Sequence, residues 1–571
     1  MISPYIFYGT TNQSGLLNLV TTHDAYTNES SPDGVNNSAV ANITRYHGGG
    51  FSRVTYFTFD QTGVGTNNID SAILRVYGAT SGDLDVGVYP VSDASWDETT
   101  LTFNNAPVWG VGPISINKFS TTQEYIEFDV SEYAYMIGDG PISFVLRPTP
   151  EEQWLVNTNS GENAQFPPEL IVTYGSGNAK PRNLPVIPNF NGYGTKMSTF
   201  GREIYKVTNT STSGAGSFAD AVSRSNRIVV FETSATIDIS SLEINASHLW
   251  IAGQTAPSPG IILKGELNPL HSSNTIIQGL SILTDLTTTT DCVTVGNGDS
   301  YRHQTKIIFD RCWFANAADE QVDCWNKLGD FDFRYCIFGP GSDSAGKNYG
   351  ALFGGDATYG SNFRVSLDKC LFIHCAERSP LAKAQIVTMN NCIVYNGGAP
   401  HRTYLSSREP TNQCNGNFTG CLWVDGPSTT TSNKPIYLDP TDWVAGSQAW
   451  VSGCDWEGET ITTQWTDLVE LNGVTGAEAT GSIDFPEDMV TMDVSLIEAD
   501  ITAKVGPKHR FTELQAYIDN LTNRDGVHPT GGPFTVPTLA ENTTTHNVPS
   551  TTNYGISGYT AAEEYLHALI F

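Results

Sequence analysis

Residues 315–323 read ANAADEQVD, so Asp319, Glu320 and Asp323 put three carboxylates within five positions. Side chains alternate along an extended strand and residues four apart share a face, so Asp319 and Asp323 can point at one ion while Glu320 points away. A bend here would swing Glu320 in, which keeps it as a second choice. Carboxylate oxygens so placed suit Ca²⁺, which takes oxygen ligands in a flexible geometry and leaves positions for substrate and water. Asp291, in TDCV, precedes an apolar run one repeat earlier and can stack near them. The alternative for the same residues is an acidic cluster facing water. Basic residues follow: IHCAERSPLAK, residues 373–383, sets Arg378 and Lys383 around a proline, with Lys347 upstream. The bland alternative there is a solvated turn.

The charge balance of the whole chain bears on that choice. Its 571 residues carry 60 acidic and 30 basic side chains, a net charge of −30, yet residues 301–410 hold 12 basic against 11 acidic. A nearly neutral segment in an acidic protein is where an anionic ligand can approach without being repelled. A nucleic-acid partner is disfavoured because it needs a basic face. No apolar run is long enough to span a membrane as a helix. The start, MISPYIFYGTTNQSG, has neither the basic leader nor the apolar core of a signal peptide. The expectation is a removed leader or another export route.

What positions these residues is a repeat. Six of the ten cysteines share a flanking pattern: DRCWF (Cys312), RYCIF (Cys336), DKCLF (Cys370), NNCIV (Cys392), TGCLW (Cys421) and SGCDW (Cys454). None of the ten fits a CxxC metal pattern, and a disulfide framework would not repeat one local pattern at spacings of 22 to 34 residues. A stack of buried thiols, one per coil, would, since free cysteine packs as a small hydrophobe. Runs such as NTIIQGLSIL, TKIIFDRCWF and FRVSLDKCLF, without helices between them, predict a parallel β-helix over residues 195–571. GSFADAVSRSNR predicts a short amphipathic helix leading into the first coil. PKHRFTELQAYIDNL and YTAAEEYLHALIF predict helices that pack on the coils.

Residues 1–176 differ. FSRVTYFTFD, AILRVYG, DVGVYPV, EYIEFDV, ISFVLRP and ELIVTYG are short alternating strands between turn residues, which predicts a β-sandwich or jelly roll. The Gly-, Asn- and Pro-rich stretch across 177–194 is the expected linker. The fold class is therefore all-β in two domains. HDAYTNESSP and SWDETTLTFNNAPVWG resemble the DNRLRE-type jelly-roll module, related to carbohydrate-binding modules. Their signature residues read as fold determinants, and a plain spacer module is the alternative to sugar binding.

From 195 onward, GAGSFADAV, IAGQTAPSPGIILKG, Asp291 of TDCV, FDRCWFANAADEQVD, KNYGALFGG, ERSPLAK and NNCIVYNGG occur in the order seen in the pectate lyase family of right-handed β-helices, and GYTAAEEYLHAL looks like its bacterial C-terminal end. The resemblance implies calcium-dependent β-elimination of an acidic polysaccharide, polygalacturonate first. It implies metal ligation by Asp291, Asp319 and Asp323, with Glu320 as the further choice. It also implies Arg378 as the catalytic residue and Lys347 as a substrate-carboxylate ligand. Lys383 stands where the family usually has a second arginine, and lysine lacks the bidentate fork. An arginine base is chemically demanding, because guanidinium groups as a class stay protonated up to about pH 12; a rate that climbs into the alkaline range follows. His374 is either a helper or a satisfied structural histidine.

Three other readings compete. A polygalacturonase-type hydrolase would need paired carboxylates spaced for water, and its Asp-Asp and Gly-His-Gly signatures are absent. A viral tail spike or adhesin would bind, and could depolymerise, a surface polysaccharide. A sugar-binding β-helix would turn nothing over. A secreted enzyme would be extracellular and monomeric; a tail spike would be trimeric and on the virion surface.

Overall fold

A computed structural model describes residues 15–570 apart from 38–40, 47–49, 63–68, 92, 110–112, 138–139, 149–153, 175–183, 198, 200–201, 286–290, 297–304, 326–328, 343–346, 355–362, 399–401, 408–411, 431–432, 531 and 552–556. Residues 177–183 of the expected linker therefore lie outside the described residues. The chain forms two compact units, one of residues 1–184 with 550–561, the other of 185–549 with 562–571.

The first unit is a sandwich of two antiparallel sheets. One orders its strands Gly15–Val20, Glu169–Tyr174, Ile69–Thr80, Val156–Asn159 and Ala41–Thr44, with Glu124–Asp129 also on Ile69–Thr80. The other orders His23–Asn28, Arg53–Asp60, Pro141–Pro148, Leu84–Val91 and Ser115–Phe119. Period-two alternation builds the core: Phe57 and Phe59, Leu74 and Val76, Val86 and Val88, and Phe144 and Leu146 all point between the sheets.

The second unit is a parallel β-helix whose coils each give one strand to three ladders. The first ladder runs in parallel steps from Glu203–Val207 through Ile307–Asp310, Asp330–Arg334 and Arg364–Asp368 to Ala449–Ser452. The long parallel pair Ala235–Ile244 and Ile261–Leu270 starts the other two, which diverge from the second of these strands. From it one ladder passes through Trp313–Ala315, Ile337–Phe338 and Leu371–Ile373, and the other through Val293–Val295, Glu320–Cys324, Tyr349–Phe353, Leu381–Ala382, Thr403–Leu405 and Ile436–Leu438. All ten cysteines are free and buried. The residue before each of the six repeated cysteines is left-handed: Arg311, Tyr335, Lys369, Asn391, Gly420 and Gly453 have φ between 50° and 64°. That residue turns the chain sharply from the first ladder to the second and drops the thiol inside. There the sulfur meets a carbonyl of the preceding coil: Ile277 for Cys312 at 3.4 Å, Phe309 for Cys336 at 3.5 Å, Met389 for Cys421 at 3.4 Å. A non-glycine residue pays about 1–2 kcal/mol for this conformation, and stacking of the aliphatic and aromatic interior offsets it.

Two of the three outer faces are covered. Leu514, Ile518 and Leu521 of the helix Thr512–Asn523 pack on Trp313, Ile337, Leu371 and Ile373 of the second ladder. Val186, Ile187, Phe190 and the helix Ala561–Ala568 cover Ile228, Trp250 and Ile276 of the first. The amphipathic helix expected before the first coil is only Phe218–Ala221, capped by the Ser217 hydroxyl, because the chain turns into the strand Arg227–Phe231 six residues on. On the third ladder, Tyr349, Arg378, Tyr404 and Tyr437 stay partly exposed.

Candidate active site

The third ladder brings Asp291, Asp319 and Glu320 together, one carboxylate oxygen of each within 4.8 Å of the others. Strand parity is the expectation that fails. Asp319 sits in a bend and the strand begins only at Glu320, so alternation does not govern the pair and Glu320 turns in. Asp323 is a true strand residue, the register partner of Thr294 and Leu352, and flanks the group. Asp291 is pinned by its own coil and the next: the Thr294 hydroxyl donates to its Oδ2 at 2.9 Å and the Glu320 N–H, one coil on, to its Oδ1 at 3.0 Å.

The cluster is electrostatically unfinished. Oδ1 of Asp319 and Oδ1 of Asp323 are buried without a hydrogen-bond partner, a costly state for carboxylate oxygens. Burial, reinforced by Asp319 and Glu266, lifts the Asp291 carboxyl to about 6. Burial lifts Glu320 to about 8, with Asp291 and Asp319 adding and Arg378 opposing. Burial and the same acidic neighbours push Asp323 well up. An all-oxygen donor set with unpaired buried oxygens fits a hard divalent cation such as calcium.

Two cations reach into the cluster. The Lys347 ammonium donates to Asp319 Oδ2, which raises its own pKa, and the Arg378 guanidinium donates to Glu320 Oε1. Arg378 also lies over the Tyr349 ring, 4.0 Å from its centroid. Tyr349 is the register partner of Glu320 and bridges to Glu377, so its ring sits where the arginine must pass. Arg378 itself is left-handed, φ 59°. Its carbonyl accepts the Ala351 N–H at 2.7 Å, and a Cβ on Gly350 would fall 2.4 Å from that oxygen, so only glycine admits the approach.

Lys383 pairs with Asp442 at 3.3 Å, one ladder step beyond Gly354, and not with the cluster. His374, four residues before Arg378, faces the other way. It is fully buried against Tyr395 and Tyr517, between Asn396 and Asn520, and burial lowers it to about 3. It is a structural histidine. Sequence reasoning missed Tyr349, Thr294, Glu266 and Asp442. Only Tyr349 carried a signal, as the aromatic two residues after Lys347 in KNYG.

The fold and the site together define a parallel β-helix that sets a carboxylate cluster beside an arginine and a lysine. Parts of the chain are similar to known proteins. A protein named "Probable pectate lyase C" from Aspergillus terreus is 29% identical over 254 residues, 44% of this chain and 56% of that protein. Its namesake from Aspergillus fumigatus is 27% identical over 268 residues, 46% and 60%. The chain thus spans little more than half the length of these curated relatives. A "Gellan lyase" from a Bacillus species is 37% identical over 121 residues, 20% of this chain and 5% of that one. Residues 17–174 match the model of carbohydrate-binding module family 96.

Proposed function

We propose that the chain is a calcium-dependent polysaccharide lyase that cleaves an acidic, uronate-containing polymer by β-elimination, with polygalacturonate as the leading substrate. The observation that carries this reading is the meeting of Asp291, Asp319 and Glu320 with Arg378 and Lys347 on the exposed ladder. Asp291, Asp319, Glu320 and Asp323 would hold calcium, which when bound supplies positive charge opposite the substrate carboxylate. Lys347 would turn from Asp319 to that carboxylate, and Lys383 would meet a neighbouring uronate. Arg378, released from Glu320 and steadied by Tyr349, would first give a proton to solvent hydroxide and then, as the neutral guanidine, take the C5 proton. The C5–H electrons form the C4–C5 double bond, the C4–O bond breaks, and the departing oxygen is protonated by water. Residues 1–176 would be a carbohydrate-binding module that holds the enzyme, residues 195–571, on its polymer. A polymer of this size places the reaction outside the cell. Among the described residues no helix is long and apolar enough to cross a membrane.

The test is ultraviolet absorbance of the unsaturated product from a panel of acidic polysaccharides, with calcium or with chelator, for wild type and Arg378→Ala. Absorbance that needs both calcium and Arg378 is the expected result. New reducing ends without absorbance would mean hydrolysis, and binding without cleavage would mean an adhesin.

A further inference from the structure

HDAYTNESSP and SWDETTLTFNNAPVWG take no part in the site above, yet they meet within the first unit. Asp24 from the first, Glu98 from the second and Glu162 from the turn after the strand Val156–Asn159 each bring a carboxylate oxygen within 4.8 Å of the others. Asp24 is the buried member, 3% exposed. Its Oδ1 accepts the Gly161 N–H at 2.9 Å, its Oδ2 accepts the Asn42 amide, and its own N–H donates to Glu98 Oε2 at 3.1 Å. The charges acting on it are those of Glu162 and Glu98, both negative, and burial lifts it to about 6.

Asn42 supplies an independent indication. It is fully buried with its amide turned onto Asp24, and its carbonyl oxygen Oδ1 has no hydrogen-bond partner. The hydroxyl of Ser160, beside Gly161, is likewise buried and unpartnered. Buried oxygens without donors, next to three carboxylates that have no basic partner among the described residues, are what a site for an oxygen-seeking cation leaves behind when only the chain is considered.

We propose that the N-terminal module carries its own calcium site, formed by Asp24, Glu98, Glu162 and the Asn42 carbonyl. The donors are all oxygen, with no histidine or cysteine to favour zinc or copper, and partly flexible, as calcium accepts and magnesium does not. The ion would tie together the strand His23–Asn28, the 93–101 loop and the 160–162 turn, which are remote in sequence. It would act on the fold of the module and on no substrate.

The experiment is calcium titration of the chelator-treated full chain by calorimetry. Wild type is compared with Asp24→Asn and with Glu162→Gln, whose side chain is on the exposed rim. Asp24→Asn should bind one calcium fewer per chain. Glu162→Gln should keep the count and weaken one site roughly tenfold, as loss of a charged ligand does. Both should keep polysaccharide cleavage at saturating calcium within about twofold of wild type, since neither residue belongs to the β-helix cluster. The count is a difference between chains that share that cluster, so it is readable whether or not the cluster itself binds calcium. Unchanged stoichiometry and affinity in both folded variants would overturn the proposal. If Asp24→Asn does not fold, an unaltered Glu162→Gln would overturn it alone.

Discussion

Two carboxylate clusters, one in each unit, begin from the same problem and solve it differently. Around Asp319 the acids share their space with Lys347 and Arg378, cations on side chains long enough to swing away. Around Asp24 they meet, among the described residues, two backbone N–H groups and an amide, held in a sandwich wall. The first arrangement suits chemistry, because an anionic substrate can recruit the cations once another positive charge holds the acids. The second offers nothing for a substrate to recruit and suits a structural ion. Acidic residues alone do not separate these roles; the mobility of the neighbouring charge does.

The sharpest way to break the contrast is at Arg378. Arg378→Ala should lower turnover about 10²–10⁴-fold, the usual worth of a positioned proton acceptor, measured by product absorbance, and should leave the calcium count unchanged. A smaller loss would make the arginine a mere counter-ion, like nothing more than a better-placed Lys383. Next is its support: Tyr349→Leu removes the ring beneath the guanidinium and should cost about tenfold in turnover, within the range of a partly desolvated cation–π contact. Tyr349→Phe keeps the ring and should stay near wild type.

The clusters should behave alike towards pH. Asp24 and Asp291 are lifted to about 6 and Glu320 to about 8. A folded carboxyl with a raised pKa keeps a proton that the unfolded chain has lost, so it stabilises below its ordinary value and that stability is lost as pH rises through the folded value. The chelated protein should therefore melt progressively lower from about pH 5 to pH 8, by differential scanning calorimetry, and saturating calcium should flatten the trend. A chelated protein that gained stability over that window would contradict the burial of both clusters. Lys383→Ala should raise KM a few-fold with turnover unchanged, as expected of a partly screened charge. The smallest effect is none: reducing agent should not shift the melting temperature, and thiol reagent should titrate ten cysteines only after unfolding.

Much of this was legible because it is local and periodic. The Cys312–Cys454 pattern announced the coils, and the left-handed conformation before each of its thiols accounts for Asn391, Gly420 and Gly453 at that place, while Arg311, Tyr335 and Lys369 adopt it at a cost. The helix Ala561–Ala568 lies within a segment that the sequence marked as helical, and Thr512–Asn523 overlaps the other, 507–521, and runs two residues past it. Asp291, Lys347 and Arg378 were recognisable in their motifs. Parity at Asp319 misled because period two holds only inside a strand, and the chain bends one residue too early. His374 and Arg378 illustrate the same limit: four residues apart, they face opposite sides of one coil.

By itself the sequence determined the class of each unit, the stacking of the coils and the residues able to do chemistry, since alternation, repeat length and motif spacing act over a few neighbours. The tertiary structure alone decided the encounters: Arg378 with Glu320, 58 residues apart, Tyr349 beneath the guanidinium, and Asp24 with Glu98 and Glu162. Each is set by how successive coils or facing sheets close long loops, and no local preference of the chain encodes where those loops end.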